Sequence, residues 1–396
     1  VKNRMSLSGV WVMLMVGSLA GCGDDAVAQP PPVPAAEATP VVRQYATVVH
    51  GSYGLMLDGA TAMQAAVVAF LATPSEATLA TARQAWITAR VSYDRTDAFR
   101  FYGGPIDDEA SGNLEGRLNA WPMDENFVDY VESMPASGLI NRPEELRTIT
   151  REAIVGQNER GGETNIASGW HTIEFLLWGQ DRSATGPGTR PHTDYVLGAG
   201  GTAMNAERRR EYLRLVTDQL IADLTTVRDA WAPGVAGNYA ARWGSDTNEA
   251  LRRMLRGVGA LAGVELSGER MSVAYETRDQ ENEHSCFSDT TTDNLLNNAI
   301  GLQNVYLGRY GSTDGPGIDE LVRARDPALD QRMRDQLQAS IDAIRAIPAP
   351  FDQAILGADS APGRVAIARG IASLRMVRDS VVQVATLLGL RLTLEG

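Results

Sequence analysis

From about Leu55 to the end of the chain, apolar residues recur at three- and four-residue spacing and almost never alternate, so helices must organise the fold. Thr73-Pro74-Ser75-Glu76 reads as a helix start, with Thr73 as cap, proline at the first helical position and glutamate three residues after the cap. The following helix sets Leu79, Ala82, Trp86, Ala89 or Arg90, and Tyr93 on one face, which meets Asp97 when extended by four residues. A second helix spans about Glu207 to Trp231 and stops at Pro233 and Gly234. A third opens near Ser245 and Asp246, carries Leu251, Leu255, Val258 and Ala262, and turns acidic at Glu265 and Glu269. Two more cover roughly Pro327 to Ile347 and Pro362 to Leu390. The glycine-rich stretches between them contain no Walker loop or dinucleotide fingerprint. The predicted fold is all-α, with two four-helix-like bundles side by side that divide between Trp178 and Glu207, written as 41–190 and 191–396.

The amino-terminal part is of a different kind. Lys2 and Arg4 precede an apolar run, Gly9 to Val16, too short to span a bilayer but suited to a signal-peptide core. The run leads into Leu19-Ala20-Gly21-Cys22, which looks like a bacterial lipobox, so residues 1–21 are expected to be a leader and Cys22 the lipidated first residue of the mature chain. Residues 22–40 are rich in proline and alanine and read as a tether. Gly23, not aspartate, follows the cysteine, which points to a periplasmic protein anchored in the outer membrane rather than the inner one. Cys286 is the only other cysteine, so with Cys22 lipidated no internal disulfide can form. Losing the leader removes Lys2 and Arg4 and leaves 34 basic against 49 acidic residues, a net charge of −15. That charge argues against nucleic acid as a partner and is compatible with binding a cation.

The chemistry centres on Gly169 to Asp181, GWHTIEFLLWGQD, which holds one of four histidines. His171 and Glu174 are three apart, and Phe175 and Trp178 share their side of the helix, so the pair faces the core. Ser168 or Thr164 could cap this helix and Gly179 would stop it. Burying an imidazole with a carboxylate costs free energy unless the two are hydrogen-bonded or share a cation. This nitrogen and oxygen pair suits zinc or iron better than calcium or magnesium. Further ligands would come from Asp97, on the apolar stripe of its helix, and from Glu269 or Glu265; each could instead pair with an arginine such as Arg270. The zinc-protease HExxH and the GxSxG elbow are both absent.

Gly169-x-His171-x-x-Glu174 followed by Phe-Leu-Leu-Trp-Gly-Gln-Asp resembles the GxHxxE motif of the imelysin family, which includes insulin-cleaving membrane proteases and iron-regulated periplasmic lipoproteins. ARVSYDRTDAFRFYGGPID (89–107), EGRLNAWPMDE (115–125), SGERM (267–271) and ENEHSCFSDT (281–290) resemble the iron-regulated branch. The resemblance implies two bundles related by duplication, with a site between them at the GxHxxE helix. It places His171 and Glu174 in the motif, Asp97 where the family commonly has glutamate, Glu269 and Arg270 in a Gly-Glu-Arg turn, and His284, Ser285 and Asp289 in a second histidine motif.

Three functions follow as expectations. In the first, the protein binds iron or an iron-bearing ligand at the bundle interface, with His171 and Glu174 as ligands, Asp97 and Glu269 as supporting carboxylates and Arg270 as an orienting group. In the second it is a metallopeptidase acting on extracytoplasmic polypeptides. The third is a metal-free docking component of a surface uptake system, with an outer-membrane uptake receptor as its partner.

Overall fold

The computed structural model describes residues 30–108, 112–183 and 185–394, so the leader, Cys22 and most of the tether lie outside the described residues. Eight longer helices carry the fold: α1 (Ala35–Ala72), α2 (Glu76–Asp94), α3 (Trp170–Trp178), α4 (Ala206–Ala230), α5 (Thr247–Ala260, continued by Leu261–Ser272 and Val273–Thr277), α6 (Thr291–Leu307), α7 (Pro327–Arg345) and α8 (Pro362–Leu387). Among the described residues there is no strand, only the isolated bridges Val131–Met134 and Tyr310–Thr313. The all-α expectation holds.

The helix starts correct the sequence reading in two places. Helix α1 begins at Ala35, inside the stretch expected to be tether, because Pro34 closes the proline run and the Ala-Ala-Glu-Ala that follows is strongly helix-forming. Pro40 lies within that helix at the loss of one backbone bond. Ser75, not Thr73, caps α2: its hydroxyl accepts from Thr78 N while the Thr78 hydroxyl accepts from Ser75 N.

Helix α1 buries Val49, Tyr53, Met56, Ala60, Met63, Val67 and Phe70, a seam alternating in steps of four and three. It packs against α2 and α4, while α3 sits on α2 and α4. Helix α7 packs on α8 and α6, and α8 lies along the middle of α5. The groups are joined through α1 with α5 and α2 with α6, so one continuous core runs through both. Helix α4, which follows residue 191, packs with α1 and α3. Tyr45 of α1 stacks on Trp243 at 5.0 Å and meets Trp231 edge-on at 5.9 Å, aromatic contacts that each add about 0.5–1.5 kcal/mol beyond the area they bury.

Buried charge ties the irregular segment between α2 and α3 to the rest. Asp129 accepts from Arg209 Nε at 2.6 Å and Nη2 at 2.8 Å and from Arg190 Nη1 at 2.7 Å, with none of the three exposed. Helix α5 changes its winding midway. Over Leu261–Ser272 it is a π-helix, in which residues five apart come into line; the Val273 amide donates to Gly268 O and the Ser272 hydroxyl to Ser267 O.

Candidate functional site

Helix α3 has every residue buried. It starts on Gly169, whose φ of +92° with ψ of −170° is a conformation essentially reserved for glycine, and a Cβ there would stand 2.5 Å from Leu118 O. The first motif glycine thus lets the helix start against the backbone of residues 117 and 118. Neither Ser168 nor Thr164 caps it: Ser168 Oγ donates to Arg117 O.

His171 Nδ1 lies 3.0 Å from Glu174 Oε2. The other carboxylate oxygen of Glu174 accepts from Ser288 N at 3.0 Å and Ser288 Oγ at 2.6 Å, and Ser288 Oγ in turn meets Thr290 Oγ1 at 2.8 Å. The loop before α6 therefore holds Glu174, and Glu174 holds His171. His171 Nε2 is buried and meets no hydrogen-bond partner. Its ring lies 4.7 Å from that of His284, nearly perpendicular to it, and 4.8 Å from that of Trp121. His284 Nδ1 in turn stands 3.5 Å from Arg90 Nη2.

Arginines and carboxylates surround the two imidazoles. Arg90 pairs with Asp94 at 3.1 Å and donates to Asn119 Oδ1 at 2.5 Å. Arg270 donates to Asp97 Oδ2 at 2.8 Å, Asn298 Oδ1 at 2.9 Å and, through Nε, Glu265 Oε1 at 3.0 Å. The Glu265 and Arg270 pair is five residues apart, as the π winding allows. Arg100 pairs with Glu115 at 3.0 Å and Asp107 at 3.8 Å. From α6, Asn294 donates to Asp94 Oδ2 at 2.7 Å and Asn298 to Asp97 Oδ2 at 2.8 Å. Beside this cluster opens a cleft of about 560 Å³, lined by Arg100, Glu115, Asn119, Trp121, Glu265, Glu269, Arg270 and His284 among others.

Burial, reinforced by the positive charges of Arg90 and Arg270, pushes both His171 and His284 well below the ordinary histidine range, so both rings are neutral. Burial pushes Glu174 up to about 8 and Asp94 up to about 6. A neutral imidazole with one nitrogen held by a carboxylate and the other free is the arrangement by which proteins orient a metal-ligating histidine. When Glu174 is ionised, His171 Nδ1 donates to it and Nε2 offers a lone pair.

The expected four-ligand set does not assemble. Among the described residues no three histidine, cysteine, aspartate or glutamate side chains gather at metal-holding distance. Both oxygens of Glu174 already meet partners, one at His171 and the other at Ser288. Asp97 gives Oδ2 to Arg270 and Asn298 while its buried Oδ1 has no hydrogen-bond partner, and Glu269 is exposed on the cleft rim because the π winding turns Arg270, not Glu269, inward. Ser285 donates its amide to Thr291 Oγ1 and keeps a buried hydroxyl without a partner, and Asp289 sits half-buried at a φ of +57°. Neither touches Glu174; the residue that does is Ser288, between them. Cys286 is buried, its thiol pushed up by burial, which leaves it an inert core residue. Sequence reasoning missed Ser288, Trp121, Asn119 and the role of Arg90, although an arginine on the apolar face of α2 was itself a signal.

The Imelysin family model, peptidase M75, matches residues 49–381. The chain belongs to the imelysin family. It is similar to "Iron-regulated protein A" of Synechococcus elongatus, 26% identical over 337 residues that cover 84% of this chain and 82% of that protein. Among solved structures, an iron-regulated protein A precursor from Parabacteroides distasonis superposes with a TM-score of 0.65 at 22% identity, covering 90% of this chain and 97% of that one. An imelysin-like protein from Psychrobacter arcticus gives a TM-score of 0.64 at 11% identity, covering 93% and 99%. At those identities the two structures share the fold with this imelysin.

Proposed function

We propose that this imelysin is a lipid-anchored periplasmic protein, held in the outer membrane through Cys22, that binds an iron-bearing ligand in iron acquisition. The observation that carries the reading is His171: a buried neutral imidazole, fixed through Nδ1 by Glu174, with Nε2 unpartnered beside the second neutral imidazole, His284. The residues fit a transition metal, His171 and His284 being the nitrogen donors that would hold it and Glu174 the group that orients the first. When bound, the metal supplies Lewis acidity and affinity for oxygen donors. Around the pair, three arginines (Arg90, Arg100 and Arg270) face five carboxylates besides Glu174 (Asp94, Asp97, Asp107, Glu115 and Glu265), an excess of acidic groups that favours a cation.

Two imidazoles leave most of a coordination shell to be filled, and the adjoining cleft of about 560 Å³ is far larger than an ion. Both features favour an iron complex that brings its own oxygen ligands over a bare ion. They also favour a carrier over a hydrolase, because catalytic zinc takes three protein ligands. The relatives named for iron regulation support iron over zinc.

The test is elemental analysis and ferric-citrate binding by the mature chain purified without chelator, beside the His171→Ala variant. Stoichiometric iron in the parent, lost in the variant with helicity retained, is expected. Equal metal in both, or none in either after ferric-citrate loading, overturns the reading and leaves the docking role.

A further inference from the structure

The two imidazoles do not meet the cleft alike. His284 lines it, whereas His171, 1% exposed, does not, and the unpartnered Nε2 of His171 is buried. Trp121 belongs to both sides. It lines the cleft, and its ring lies 4.8 Å from that of His171, 6.3 Å from that of His284 and 5.8 Å from that of Phe287. Of the six tryptophans among the described residues, five are buried and Trp121 alone is half-buried. Among the same residues its indole N–H donates to no protein acceptor, while those of Trp86 and Trp243 are held by Trp170 O and Val42 O.

The backbone on either side of Trp121 is fixed. Before it, Asn119 donates its amide to Glu115 O at 2.8 Å and accepts from Arg90 through Oδ1; after it, the Asp124 amide donates to Thr164 O at 2.7 Å. The part left free to move is the ring, by rotation about its own side-chain bonds, and the adjoining cleft of about 560 Å³ has room to receive it. We propose that Trp121 is the gate of the histidine site. With the ring in place, the lone pair on His171 Nε2 is shut off from the cleft; with the ring swung into the cleft, a ligand resting on His284 reaches it. The inference rests on the reading that these histidines take a ligand and adds the order of engagement, His284 first and His171 once the ring has moved.

The test uses no metal. Diethyl pyrocarbonate acylates a neutral imidazole: a ring nitrogen attacks one carbonyl, an N–C bond forms, and ethyl carbonate leaves with the ring proton. Acylation of each histidine is followed by peptide mass spectrometry on the chelator-treated mature chain, with the half-buried His50 and His192 as internal references. In the parent, His171 should react slowly, at a rate that sub-denaturing urea leaves unchanged, because a ring rotation exposes little surface whereas unfolding exposes the whole core. Trp121→Ala should raise the His171 rate at least about tenfold relative to the references, with Trp121→Phe between it and the parent. An unchanged His171 rate in Trp121→Ala, or a parent rate that climbs with urea along the slope of global unfolding, overturns the proposal. If Trp121→Ala fails to fold, Trp121→Phe carries the comparison. Acylation rates do not depend on iron and ferric-citrate loading does not depend on acylation, so the gate and the iron-binding reading fail separately.

Discussion

Glu174→Gln separates the cost of burying this carboxylate from everything else in the site. The amide keeps the shape and can still accept from Ser288 and donate to His171 Nδ1, but it cannot ionise. In the unfolded chain Glu174 ionises near its ordinary 4.5; in the fold, burial holds it protonated up to about 8. Between those values the folded state binds the extra proton, so the parent loses stability as pH rises through the window and levels off above it. At 1.36 kcal/mol per pH unit, the interval corresponds to roughly 4–5 kcal/mol. Asp94 and other raised carboxyls tilt the parent in the same direction, but their contribution is common to both proteins and cancels in the difference. Urea unfolding of both chelator-treated chains from pH 4.5 to 9 is the assay. The variant should gain on the parent by up to about 4 kcal/mol, nearly all of it between pH 5 and 8. A difference in unfolding free energy that stays flat across that range would refute the reasoning.

Asp129→Ala strands Arg190 and Arg209 without their shared carboxylate and should cost about 3–5 kcal/mol in urea unfolding. Gly169→Ala should destabilise by about 1–3 kcal/mol from backbone strain alone, with more from the clash at Leu118 O, and should weaken ferric-citrate binding by displacing His171; unchanged binding would detach the glycine from the site. Asp246→Ala removes the cap that accepts from Asn248 N and Glu249 N and should lower stability by about 1 kcal/mol without affecting iron binding, serving as a control remote from the site.

Much of this was legible from residue spacing. The buried face of α2, the cap at Asp246 and the stop of α3 at Gly179 stand where periodicity and capping chemistry put them. Helix α6 was not foreseen, for a physical reason: its inward face carries Asn294, Asn297 and Asn298, which serve the buried Asp94 and Asp97 and the half-buried Arg95, so the apolar stripe that marks other helices is overwritten by polar residues. The start of α1 was hidden by prolines on either side of Ala35. In the site, the pairing of His171 with Glu174 followed from helix geometry. The approach of His284 and the clamp by Ser288 depend on a loop more than a hundred residues away, which no local pattern reports.

The wide winding of Leu261–Ser272 has a consequence for what this chain can tolerate in length. Removing one residue there with the winding kept would rotate everything after the deletion by roughly 80–100°. Arg270 would swing off Asp97 and Asn298 while α8, packed along the same stretch, met a different set of side chains. A deletion in this stretch would thus change every contact that follows at once. A substitution at Glu269, which faces solvent, changes only itself.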